Sequence, residues 1–185
     1  GTKGFHDYPS LFPVARKIKR HFIFHAGPPN SGQTHGEMKA LKNAESGVYL
    51  APLRLMAIEA YDKLIDAGIP ANMKTGEERI LDSEAKHTAS TIEMLDTSTL
   101  VDVAIIDEVQ MIRDEDRGWA WTQAIVGAPA SVVIMTGSPE VKDYIRKLIE
   151  AIGDTFEYVE FKRLNELNVI QGNVSAHELL PGDAV

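Results

Sequence analysis

A short apolar run, Phe22-Ile23-Phe24-His25-Ala26, passes directly into Gly27-Pro28-Pro29-Asn30-Ser31-Gly32-Gln33-Thr34 and then into a helical stretch through Leu41. No other feature of the chain constrains its fold as much. A strand has to end in a glycine-bounded loop whose last residues open a helix. Backbone N–H groups and the positive end of the helix dipole then converge on one small space. The spacing is that of the phosphate-binding pattern G-x-x-x-x-G-K-[ST], whose glycines let the amides turn inward and whose hydroxyl, here Thr34, ligates Mg²⁺. The lysine of that pattern is missing. Gln33 stands in its place, able to donate a hydrogen bond but carrying no charge. By analogy with the loss of one preorganised electrostatic donor, the expected penalty on turnover is roughly 10²–10³-fold.

The rest of the chain alternates apolar runs with amphipathic stretches, which predicts an α/β fold. Strands are expected at Phe22–Phe24, Gly47–Leu50, Val101–Ile106, Ser131–Met135 and Phe156–Glu160, with weaker runs at Ala71–Lys74 and His87–Thr91. Leu53, Met56, Ala57, Ala60 and Leu64 recur at helical spacing, and Ala67-Gly68 gives a stop signal. Glu140 to Ile152 reads likewise, with Val141, Ile145, Leu148 and Ile149 on one face. A run as apolar as Ala104-Ile105-Ile106 belongs to a strand buried on both faces, hence a mostly parallel sheet between helices in three layers. Residues 171–185 are polar and turn-rich and read as a linker, leaving 1–170 for the domain.

Composition excludes several classes. The 185 residues, 44% hydrophobic and 25% charged, suit one domain with its own core. There is no cysteine, so disulfides, thiolate zinc sites and cysteine nucleophiles are ruled out together. Acidic residues outnumber basic ones, 27 to 19, and the net charge of -8 argues against a protein held on nucleic acid by a general positive field. A local basic groove on an acidic body remains open. No apolar stretch approaches the ~18 residues of a membrane helix, and Gly1 to His6 lack a signal-peptide core, so no membrane partner is expected.

A second motif, Asp107-Glu108-Val109-Gln110, stands at the end of the Val101–Ile106 run. Ligands of open α/β sheets collect beyond the carboxyl ends of their strands. An acidic residue placed there holds Mg²⁺, usually through water, and the next can polarise an attacking water. A glycine loop and an acidic strand end, in this order, predict a P-loop fold that binds a nucleotide's phosphates with Mg²⁺.

Longer strings resemble a narrower family. His25 to Thr34, Gly47 to Ala57, Thr75-Gly76-Glu77-Glu78-Arg79, Thr91-Ile92-Glu93-Met94, Ile106 to Asp114, and Arg117-Gly118-Trp119-Ala120-Trp121-Thr122 look like the Suv-three type of DExH-box helicases. These are the mitochondrial RNA-degradation helicases and their bacterial relatives. The resemblance covers about Arg16 to Val185 and implies a first RecA-like motor domain, with residues 171–185 entering a second one. It implies that Gly27, Pro28, Pro29, Asn30, Ser31, Gly32, Gln33 and Thr34 grip the phosphates of ATP. Thr34 and Asp107 would hold Mg²⁺, Glu108 would activate water, and Gln110 would couple the site to the rest of the domain. Thr136-Gly137-Ser138-Pro139 falls where the family links hydrolysis to strand movement. Pro52, Arg54, Thr75, Gly76 and Thr91 would line a face for single-stranded RNA or DNA, touching phosphates and not bases. The implied partners are that strand, the second RecA-like domain of the same parent chain, and RNA-degradation proteins. The implied compartment is the cytoplasm for a bacterial chain and the mitochondrion for a eukaryotic one, the cytoplasm being preferred.

Gln33 and the lack of a second motor half in these residues are expected to impair hydrolysis. Two other functions fit in part. One is a nucleotide- or nucleic-acid-binding module without hydrolysis. The other is a thymidine-kinase-like deoxynucleoside kinase, a family that joins a similar loop to a D-E-x-Q strand end but normally carries a cysteine zinc lobe. Trp119 and Trp121 are expected in the core. Arg16, Lys17, Lys19 and Arg20 should form a solvated helix face. His21 and His25, four apart on a strand and so about 13 Å distant, cannot share an ion. Glu77 and Glu78 should face apart, one of them structural or strand-lining. Asp114 to Asp116 reads as a solvated turn.

Overall fold

The computed structural model describes residues 7–28, 33–161 and 169–171. Its strands are β1 (His21–Ala26), β2 (Gly47–Ala51), β3 (Ala71–Lys74), β4 (Arg79–Ile80), β5 (His87–Thr91), β6 (Val101–Ile106), β7 (Ala130–Gly137), β8 (Thr155–Phe161) and β9 (Val169–Gln171). Its α-helices are α1 (Pro13–Lys17), α2 (Gln33–Asn43), α3 (Arg54–Asp66), α4 (Gly118–Gly127) and α5 (Lys142–Ala151). The strands form one sheet in the order β4-β3-β5-β2-β6-β7-β1-β8-β9. From β3 to β8 every pairing is parallel, and β4 and β9 add antiparallel edges. The two weak runs at Ala71 and His87 are both strands inside this sheet. Among the described residues, no helix is long and apolar enough to cross a membrane.

Alternation of side chains splits the core into two layers. Phe22, Phe24, Leu50, Ala104, Ile106, Val133 and Met135 point to one face, where Trp121, Ala124, Ile125, Ile145 and Ile149 of α4 and α5 cover them. Tyr49, Ala51, Ala89, Ile105 and Ile134 point to the other and meet Met38 and Leu41 of α2 and Ala57, Ala60 and Leu64 of α3. The result is the expected three-layer sandwich. Helix α4 is apolar nearly all round because it is buried on two sides. Its Val126 packs outward against Phe12 and Ala15, the latter from α1.

Two expectations are corrected here. Of the basic residues before β1, Lys17 and Lys19 are exposed as expected, but Arg16 and Arg20 are not part of a solvated face. Arg20 is 2% exposed, ion-paired with Asp154 at 2.7 Å and bonded to the Ala128 carbonyl at 3.0 Å. Arg16 donates to the carbonyls of Val126 at 2.9 Å and Ile152 at 3.2 Å. Both arginines take up carbonyls at or just beyond the ends of α4 and α5, where the helix leaves acceptors without intrahelical donors. Trp119 is not core either. It is 54% exposed, whereas Trp121 is fully buried and donates its indole N–H to the Asp107 carbonyl at 2.9 Å. One turn of helix cannot bury positions two apart on the same side.

Candidate functional site

Because β2, β6, β7 and β1 are consecutive and parallel, their carboxyl ends share one edge. His25 stands opposite Thr136, and Leu50 opposite Ile106. Alternation then sends Tyr49, Asp107, Thr136 and His25 to the sheet face that α2 covers. A row of polar side chains thus lies at the end of the strands, on the side where the helix after the glycine loop begins.

Asp107 is at the middle of this row and is 7% exposed. One carboxylate oxygen accepts the Tyr49 hydroxyl at 2.6 Å. The other accepts the Thr136 hydroxyl and the Glu108 N–H, the latter at 3.1 Å. Burial first, and then the charge of Asp107, push the Tyr49 phenol far above its ordinary range, so it remains a donor. Glu108 adopts the left-handed conformation, φ 55 and ψ 54, unusual for a residue with a side chain. Its carboxylate accepts the Gln110 amide N–H at 2.8 Å, while the Gln110 carbonyl oxygen accepts the Ser138 N–H at 3.1 Å. Gln110 therefore ties the acidic pair to the Thr136-Gly137-Ser138 segment through its own two ends.

That contact leaves no room at Gly137. A Cβ there would lie 2.5 Å from Gln110 Oε1 and 2.9 Å from the Val109 nitrogen. Gly137→Ala is expected to cost about 1–3 kcal/mol through overpacking, measured by urea denaturation, and to break the bridge from Glu108 to Ser138. Wild-type stability in this variant would show that the segment can move aside freely.

Gly27 donates its N–H to the Gly137 carbonyl at 3.0 Å, so the start of the glycine loop is stitched to the end of β7. Pro28 follows it. Pro29, Asn30, Ser31 and Gly32 lie outside the described residues, as do the side chains of Gln33 and Thr34, whose backbone opens α2. Sequence reasoning missed a tie across this loop. His25 Nδ1 lies 2.7 Å from Glu37 Oε2, both groups buried, joining the strand before the loop to the helix after it. His21 is engaged separately, with Thr155 and Glu157 on β8.

Along the same edge, beyond β2 and β5, Pro52, Leu53, Arg54, Gly76, Thr91, Glu93, Met94 and Arg117 line a cavity of about 380 Å³. Thr75, expected with them, is buried and its hydroxyl is used within its own turn. It accepts the N–H of Glu77 at 3.0 Å and of Glu78 at 2.8 Å, and donates to the Glu78 carboxylate. Glu77 and Glu78 do not diverge as expected. Arg54 bonds Glu78 through Nε at 2.9 Å and through Nη2, and its Nε lies 3.1 Å from Glu77. Hydrogen bonds from Arg54 and then Thr75 hold the Glu78 carboxyl below its usual range, so the pair stays ionised at neutral pH. Asp114 forms the expected turn, its carboxylate accepting the N–H groups of Asp116 and Arg117.

Residues 9–161 match the model of the DEXQ-box helicase domain of Suv3. The chain belongs to the Suv3 helicase family. Asp107-Glu108-Val109-Gln110 spells D-E-x-Q, the box in that model's name, with glutamine where the broader DExH label has histidine. The zebrafish protein named ATP-dependent RNA helicase SUPV3L1, mitochondrial, is 45% identical over 94% of this chain and 24% of its own length. The human protein of that name is 41% identical over 96% of this chain and 23% of its own. The Caenorhabditis elegans SUV3 homolog is 41% identical over 94% and 25%. The chain thus spans about a quarter of the length of the curated relatives it matches. Its fold is shared with the C-terminal domain of the DEAD-box protein Dbp5, at TM-score 0.50 and 14% identity, covering 76% of this chain and 90% of that one. The chain folds as a RecA-like α/β domain, and its family membership removes the kinase alternative.

Proposed function

We propose that this chain is the ATP- and Mg²⁺-binding motor domain of an RNA helicase, with hydrolysis weakened by Gln33. The observation that carries the reading is the junction of three segments at one strand edge. Gly27 bonds Gly137, Thr136 bonds Asp107, and Gln110 joins Glu108 to Ser138. A nucleotide held there is sensed directly by the segment that the family places between hydrolysis and strand movement.

The donor set suits Mg²⁺, a hard cation that takes oxygen ligands and keeps several waters. Three protein donors already occupy Asp107, so its remaining acceptor capacity fits a water of the ion's shell better than direct ligation. The hydroxyl of Thr34 completes the proposed pair. When bound, the ion would neutralise charge on the β- and γ-phosphates. The chain's own groups do the rest. Backbone N–H groups of Asn30 to Thr34 would orient the phosphates at the head of α2, the Gly27 N–H being taken by Gly137 and the two prolines having none. His25 with Glu37 keeps that helix set against β1. The Glu108 carboxylate, held at 2.8 Å by Gln110, is placed to accept a proton from water.

The strand would lie along Pro52, Arg54, Gly76 and Thr91, touching its phosphates, with Thr75 shaping the turn beneath. A second RecA-like domain of the same parent chain would close over the nucleotide, residues 171–185 leading toward it and residues 1–170 forming this half. RNA-degradation proteins are proposed as further partners. The relatives named above are mitochondrial, which favours that compartment for a eukaryotic chain and lends no support to the cytoplasmic preference. Titration with a non-hydrolysable ATP analogue and Mg²⁺ is expected to saturate. No binding at millimolar nucleotide would overturn the reading and leave a partner-binding module.

A further inference from the structure

Arg117 lines the same cavity of about 380 Å³ as Arg54, and the two arginines are held alike. Arg54 meets Glu78 through Nε and Nη2. Arg117 meets Glu93 through Nε at 2.7 Å and Nη2 at 3.1 Å. Each carboxylate therefore grips its guanidinium side-on. A guanidinium has five N–H groups, and a side-on pair uses two of them. Nη1 of either arginine makes no hydrogen bond among the described residues. What remains on each is the end-on fork, the geometry that fits a phosphate.

Arg117 is fixed as well as reachable. Its guanidinium carbon sits 5.2 Å from the Trp121 ring centroid, while its side chain and that of Glu93 are 32% and 31% exposed. An ion pair that exposed contributes little to stability, so its geometry is better explained by orientation than by holding the fold. The cavity also carries two exposed apolar side chains, Leu53 at 58% and Met94 at 38%. Two cationic forks beside an apolar strip match the amphipathic build of a single strand, phosphates on one side and sugars and bases on the other.

We propose that Arg117 is a second phosphate-binding residue of the strand face, with Glu93 positioning its fork. This rests on the reading that the face takes single-stranded RNA. Arg54 and Arg117 then contact phosphates of one strand, with Gly76 and Thr91 lining the same cavity.

The test is binding of a labelled oligouridylate to this chain across a series of salt concentrations. Each single-strand phosphate contact adds about 0.7 to the slope of log affinity against log salt. Arg117→Gln is expected to lower that slope by about 0.7 and to weaken binding about fivefold at 0.1 M salt. Arg54→Gln should do the same. Arg117→Lys keeps the charge but loses the fork, and should weaken binding with the slope retained. A merely structural arginine would leave the slope intact in every Arg117 variant. If Arg54→Gln changes the slope and Arg117→Gln does not, the role of Arg117 is overturned while the strand face stands. If the unsubstituted chain fails to bind, or Arg54→Gln changes nothing, the strand face itself falls. Should Arg117→Gln fail to fold, affinity unchanged in Arg117→Lys overturns the proposal and weaker binding supports it.

Discussion

Replacing Gln33 with lysine, in a chain extended to include a second RecA-like domain, is expected to raise RNA-stimulated ATP turnover roughly 10²–10³-fold. The argument is one of charge. Around the strand edge the described side chains are mostly carboxylates and hydroxyls, Asp107, Glu108, Glu37, Thr136 and Tyr49, joined by the His25 imidazole on Glu37 and the neutral Gln110 amide. A triphosphate entering this acidic edge would have the bound metal and the amides of the glycine loop on its side, and no full positive charge from position 33. An ammonium at position 33 would add a full positive charge where charge builds up during phosphoryl transfer. Glutamine supplies one neutral donor, and the difference between the two is felt most in a site shielded from water. The measurement is kcat for ATP with and without single-stranded RNA. A lysine variant no faster than the glutamine chain would favour a domain that binds nucleotide without turning it over.

How much of this was legible beforehand depended on whether a residue's partner lay near it in sequence or came from the sheet order. Asp107 and Glu108 stand directly after an apolar run, so their place at a strand end followed from position alone. Of the two weak runs, Ala71 to Lys74 alternates and its burial follows, whereas His87 to Thr91 breaks phase at the buried Ser90 and is a strand through its place between β3 and β2. Helix α4 gave no amphipathic period. Its Val126 meets one cluster while Ile125 and Trp121 meet another, and a helix buried on both sides shows no polar face. Tyr49 escaped notice as a partner of Asp107 because the contact depends on β2 lying beside β6, a crossover that spacing does not encode. His25 was weighed against His21 along the strand, whereas its partner Glu37 comes back across the loop. Arg16 and Arg20 were read by charge as solvated, and the carbonyls around the ends of α4 and α5 claimed them instead. Charge predicts solvation only when no buried acceptor competes for it.

Asp107 offers the second large effect, and two substitutions separate its roles. Asp107→Ala removes the acceptor for the Tyr49 and Thr136 hydroxyls and one of the two acceptors of the Glu108 N–H, which also reaches Thr136 Oγ1 at 3.2 Å. Each buried donor left unpaired costs about 1–3 kcal/mol, and water admitted to the space of the lost carboxylate recovers part of it. A net loss of about 3–5 kcal/mol is expected, which is a large fraction of the stability of a domain this size. The Glu108 turn is already in the left-handed region and is held there partly by these bonds, so it should relax and carry Gln110 away from Ser138. Asp107→Asn is different. The amide keeps the shape and one acceptor oxygen for Thr136 and Glu108, and the Tyr49 hydroxyl can rotate to accept from the new N–H. Its cost should stay near 1–2 kcal/mol, measured by urea denaturation, while Mg²⁺-dependent binding of an ATP analogue is lost. Binding in the asparagine variant equal to that of the unsubstituted chain would make Asp107 a structural bracket between β2, β6 and β7, and would move the search for the metal's partner to Glu108.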